Sequence, residues 1–162
     1  MVDILQTNAL FYKLQKGIVL TEDYVNWSMN LLENDVSSPS ANIISSFSLG
    51  ESIFELEEYF NRALNELEIK KPTFEISARA YIGHLANKII KENNHSYAFD
   101  IAYKIYRIVA SDLDYPDDLM EWYEISEMID EQRNGDIPLE FNESQVISRI
   151  KNEANIYLGL ND

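Results

Sequence analysis

At 162 residues and 18.8 kDa the chain suits one domain of ordinary size. Its 46% hydrophobic and 25% charged residues, with only five glycines and four prolines, exclude a collagen-like, linker-rich or mostly disordered chain. The absence of cysteine excludes disulfides, thiolate metal sites and cysteine nucleophiles. A net charge of −15 disfavours nucleic acid and anionic membranes and favours cationic partners.

Apolar positions recur with helical spacing almost throughout. Met1 to Gly17 reads as a helix with Ile4, Leu5, Leu10, Phe11 and Leu14 on one side. Thr21 can cap a second helix whose apolar face is Tyr24, Val25, Met29 and Leu32, with Glu22 and Asp23 well placed in its first turn. Pro39 opens a short helix through Ile43, Ile44 and Phe47 that stops near Gly50. Ser52 and Glu55 have capping-box spacing ahead of a helix running to about Ile69, which Lys70-Lys71-Pro72 breaks. Thr73 caps the next helix, carrying Ile76, Ala80, Tyr81, Leu85, Ile89 and Ile90 and ending at Asn93-Asn94. Ser96 to Ser111 is apolar nearly all round, the signature of a central helix.

Pro116 suits the first position of the following helix, with Asp117 and Asp118 at its positive end. This helix presents Leu119, Trp122, Tyr123, Ile125 and Ile129 and closes at Asn134-Gly135. Ile137 to Phe141 is a short extended piece, and Asn142 with Gln145 forms a second capping box before a last helix bearing Val146, Ile147, Ile150, Ala154, Tyr157 and Leu158. The expected fold is therefore all-α: seven or eight helices in irregular antiparallel hairpins, solenoid-like or bundled, as one helical domain over residues 1–162. Glu22 to Asn30 is echoed 35 residues later by Glu57 to Asn65, with four identities and four similar residues in nine positions. That period is a helix-hairpin length, although any two amphipathic helices share some pattern. No apolar stretch approaches the roughly 18 residues of a membrane helix. The first 20 residues lack a basic start and apolar run, so a cytoplasmic location is expected.

Charge is segregated along the chain. Asp112 to Glu143 carries twelve acidic residues and one basic, whereas Lys70 to Arg107 carries seven basic and three acidic. Asp117, Glu121, Glu124 and Glu127 stand three or four apart in the expected helix, where like charges repel by a few tenths of a kcal/mol per pair. Such a row reads as a solvated face, as a docking surface for a cationic partner, or as a cation site. The docking reading takes Asp114, Asp117, Asp118, Glu121, Glu124 and Glu127 as steering charges, with Tyr115 or Tyr123 as anchor, and assigns Trp122 to the core.

Catalytic, cofactor and metal patterns are weak. Asp112 to Asp118 resembles a calcium loop only superficially, because the mid-loop glycine and the twelfth-position glutamate are missing and Pro116 intervenes. His84 and His95, eleven apart, lack paired ligand spacing. Neither a phosphate loop nor a nucleophile elbow is present, Ser48 to Ser52 reading as a helix junction. No enzymatic activity, cofactor or metal is expected.

The segments Ala102 to Tyr106 and Asp112 to Leu119, with the Ala80 to Ala86 helix and Gly17 to Trp27, resemble a family of small acidic bacterial all-helical proteins that includes immunity proteins of polymorphic toxin systems. About half the chain carries this resemblance; Ala110-Ser111-Asp112 departs from the family's small-acidic-aromatic run. The family supplies no catalytic residues. It implies a helical fold and a toxin-neutralising role, in which the acidic helix covers the basic cleft of a toxin domain such as a nuclease. The alternative is a helical scaffold or regulatory protein that holds a partner peptide or helix in an apolar groove.

Overall fold

Helical spacing becomes eight α-helices in the computed structural model, which describes residues 4–48, 52–135 and 140–160. They are α1 (Ile4–Lys16), α2 (Thr21–Glu33), α3 (Pro39–Ser45), α4 (Ile53–Glu66), α5 (Phe74–Lys91), α6 (His95–Ser111), α7 (Met120–Asn134) and α8 (Glu143–Tyr157). A 3-10 turn, Asp117–Leu119, precedes α7, and no strand occurs among the described residues. The chain is all-α. No helix among the described residues is long and apolar enough to cross a membrane. The expected start at Met1, the junction around Gly50 and most of the extended piece from Ile137 lie outside the described residues.

Local chemistry accounts for most helix ends. Asn142 and Gln145 exchange both capping-box bonds at 2.9 Å, and the Ile76 N–H donates to Thr73 Oγ1 at 3.3 Å. Thr21, by contrast, is already helical. The start of α2 is closed by the Asp23 carboxylate, which accepts from the Leu20 N–H at 2.8 Å and pairs with Lys13 at 2.6 Å. Ser52 makes no side-chain capping bond; its backbone carbonyl accepts from the Leu56 N–H instead. Pro116 stands before the 3-10 turn, so α7 starts later than expected. Four helices end in a left-handed residue followed by a bond back to the last turn. Glycine fills that position after α1 and α8 (Gly17 and Gly159, φ 68), but Asp35 (φ 56) and Glu68 (φ 54) fill it after α2 and α4.

The chain divides into two compact units, Met1–Tyr81 and Ile82–Asp162. In the first, Phe60 of α4 meets Phe11, Tyr24 and Trp27 with ring centroids 5.7, 5.2 and 4.8 Å away. Leu10, Leu31, Ile44 and Leu56 complete this cluster. Trp27 donates its indole N–H to the buried Thr7 hydroxyl at 3.0 Å. The inward face of α2 is therefore Tyr24, Val25, Trp27, Ser28 and Leu31, while the expected Met29 and Leu32 are exposed. Leu5, Ile43 and Ile76 also face outward. Glu66 at the end of α4 accepts from both the N–H and the hydroxyl of Ser40 in the first turn of α3, at 3.0 and 2.7 Å. These bonds hold its carboxyl below the usual carboxylate range.

In the second unit α6 is central, as its sequence implies. It packs against both α7 and α8 and buries Ala98, Phe99, Ile101, Ala102, Ile105, Ile108 and Val109. Facing residues include Trp122, Ile125 and Ile129 of α7 and Val146, Ile147 and Ile150 of α8. The 35-residue echo falls on α2 and α4. Its pairs Val25/Phe60 and Ser28/Ala63 are both buried, whereas Trp27 is buried and its counterpart Arg62 is exposed.

Candidate functional site

The candidate site lies in the second unit, where α6 gives way to the acidic segment. The Leu113 and Tyr115 N–H groups donate back to Ile108 and Val109 at 3.1 and 3.0 Å, turning the chain sharply. The turn places Asp114 and Tyr115 in succession at φ 54. Such a conformation costs roughly 1–2 kcal/mol per residue for side chains other than glycine. Neighbouring tyrosines brace it. The Tyr115 ring meets Tyr123 edge-on at 6.2 Å, and its hydroxyl is the hydrogen-bonding neighbour of the Tyr106 phenol. That bond, with burial second, pushes Tyr106 up to about 12.

Tyr106 also contacts Tyr123 at 6.1 Å and Tyr103 at 5.4 Å, so four tyrosines form a continuous chain of rings. Arg107 lies 5.3 Å over Tyr103, whose hydroxyl reaches Asp130 at 3.5 Å. Tyr103 and Tyr106 were not among the expected partner-binding residues. Their spacing of three on one helix was the available signal.

The expected site residues divide into two groups. Asp114, Tyr115, Asp117, Asp118, Glu124 and Glu127 are exposed, Tyr115 by 42%. Glu121 and Tyr123 are half-buried. Glu121 forms an ion pair with Arg149 and so ties α7 to α8. Nearby Glu153 is raised, first by burial and then by Glu121. Tyr123 supports Tyr115 from behind. Trp122 is fully buried in the core, as expected.

His84 is exposed on α5, and His95 Nδ1 lies 2.7 Å from Glu143 in a surface pair. Among the described residues no group of three His, Asp or Glu side chains is arranged to hold a metal ion. Comparison of the chain with protein-family models, curated proteins and solved structures returned no match.

Proposed function

We propose that this protein is a non-catalytic inhibitor of the immunity type, acting in the cytoplasm on a cationic protein such as a bacterial toxin domain. The exposed carboxylates Asp114, Asp117, Asp118, Glu124 and Glu127 steer the partner, and Tyr115 anchors it. One observation carries the reading: a large, exposed aromatic ring is held on a strained backbone amid carboxylates. A ring of low conformational entropy within a charged rim suits a binding hot spot. Glu121 and Tyr123 act indirectly, the first by fixing α7 and the second by bracing Tyr115. Inhibition is by occlusion, so no bond is made or broken.

The test starts with capture of the neighbouring gene's product at ~50 and ~500 mM salt, since exposed charge pairs are screened over that range. The triple variant Asp117→Lys/Glu124→Lys/Glu127→Lys should slow association about tenfold or more at low salt with its helical circular dichroism unchanged. Tyr115→Ala should speed dissociation. Association that is insensitive to both salt and charge reversal would rule this surface out.

A further inference from the structure

Asn134-Gly135 is the sole asparagine–glycine pair in the sequence, and it lies where α7 ends, with both residues exposed. An asparagine before glycine is in the most reactive setting for its side-chain amide. Glycine has no Cβ to shield its backbone nitrogen, and it accepts the backbone angles that a five-membered imide imposes. No described residue makes a hydrogen bond to the Asn134 side chain. The other asparagines precede bulkier residues, and several are held: Asn94 and Asn142 cap helices, and the Asn34 amide donates to Asn30.

The fold also supplies the restraint. The Gly135 N–H donates to the Glu131 carbonyl at 2.9 Å, the closing bond of α7. Attack needs that nitrogen released and deprotonated, and it needs Asn134 to leave its helical backbone angles. Both conditions are met when the final turn opens, and helix ends open most readily. The residues just before it are pinned. Arg133 pairs with Asp100 of α6 at 2.6 Å, and Gln132 donates to the Phe141 carbonyl.

We infer that Asn134 is a site of spontaneous, one-way modification, deamidation through a cyclic imide. Base removes the Gly135 N–H proton and the nitrogen attacks Asn134 Cγ. The N–Cγ bond forms, the Cγ–Nδ2 bond breaks, and ammonia leaves with a proton from water. A water molecule then opens the imide at either carbonyl. One route restores the main chain with an aspartate; the other carries the main chain through Cγ as isoaspartate. Either product places a carboxylate at the negative end of α7, three and four residues from Glu131 and Asp130. Both effects are repulsive, so the modified turn opens more often than the original. The inference is independent of the acidic face as an interface.

The folded protein is held at mildly alkaline pH, digested and weighed by peptide, and isoaspartate is scored by enzymatic carboxyl methylation. Replacement of –NH2 by –OH is expected at Asn134 ahead of the other described asparagines. Its rate should lie about two- to tenfold below that of a blocked peptide of sequence Asp130 to Glu140, the factor for opening a hydrogen bond worth about 0.5–1.5 kcal/mol. Urea should bring the two rates together. Gly135→Ala should slow conversion in folded and unfolded chains alike, and Asn134→Gln should abolish it. Asn134→Asp should speed amide exchange at Gly135 about twofold, corrected for its intrinsic rate, as fits repulsions of a few tenths of a kcal/mol. Three results would each overturn the inference: a folded-chain rate more than about a hundredfold below the peptide's, earlier conversion of another described asparagine, or a rate unmoved by Gly135→Ala.

Discussion

In the first unit the largest rings are packed against one another, Phe60 among Phe11, Tyr24 and Trp27, while the second is built mainly from isoleucines of α6, α7 and α8 around Trp122. In the second unit Tyr103, Tyr106 and Tyr123 are only half-buried and Tyr115 is exposed, their rings linked in a chain. The same residue type therefore does different work. A buried ring contributes area and shape to its core. An exposed one on a left-handed backbone contributes little to stability, which makes it the better candidate for a contact with a partner. Polar tips differ too: the Trp27 N–H has the Thr7 hydroxyl, whereas the Tyr24 hydroxyl and Trp122 N–H are buried without a partner among the described residues.

The sharpest way to break this comparison is Phe60→Ala. Removing a fully buried ring that touches three others should cost about 3–5 kcal/mol in urea unfolding followed by near-UV circular dichroism. A loss below about 1 kcal/mol would show that the ring cluster does not organise the first unit.

A paired experiment asks what the polar tips are worth. Thr7→Val leaves the Trp27 N–H without its acceptor and should cost about 1–3 kcal/mol. Tyr24→Phe removes a hydroxyl that lacks a partner and should change stability by no more than about 0.5 kcal/mol at neutral pH. Burial, then Glu57 and Asp23, raise the Tyr24 phenol well above its ordinary value. The folded state thus favours the neutral form. Its stabilisation is complete below pH about 10 and is lost as pH rises through that value towards the raised one. Tyr24→Phe should flatten this alkaline loss; an unchanged alkaline profile would mean that another group causes it.

A modest gain in stability is expected at the left-handed residues. Glu68→Gly should stabilise the protein by about 0.5–1 kcal/mol, because glycine adopts φ 54 without the steric cost. Tyr115→Gly gains the same relief but loses the ring's contacts with Tyr106 and Tyr123, so it should stabilise less. If both variants gain equally, the ring returns nothing to the fold.

Features governed by neighbouring residues were legible in advance. The spacing of apolar positions marked the eight helices, Asn142 with Gln145 and Gly17 marked ends, and the almost wholly apolar Ser96 to Ser111 marked the central helix. The inward face of α2 was partly misplaced. Its residues are apolar on adjoining faces, and the position of Phe60 and Thr7 decides that Trp27 and Leu31 turn in while Met29 and Leu32 turn out. Likewise the density of acidic residues after Asp112 was plain, but not which of them would be tied up. Glu121 meets Arg149 across 28 residues of chain.

What the sequence by itself determined was therefore helix content, most helix ends and the sign of the charge, since each depends on atoms within about one turn. Only the tertiary structure decided which tyrosines reach the surface and that Glu121 of the acidic segment reaches Arg149. Those outcomes depend on segments that meet after folding, and no local spacing encodes their meeting.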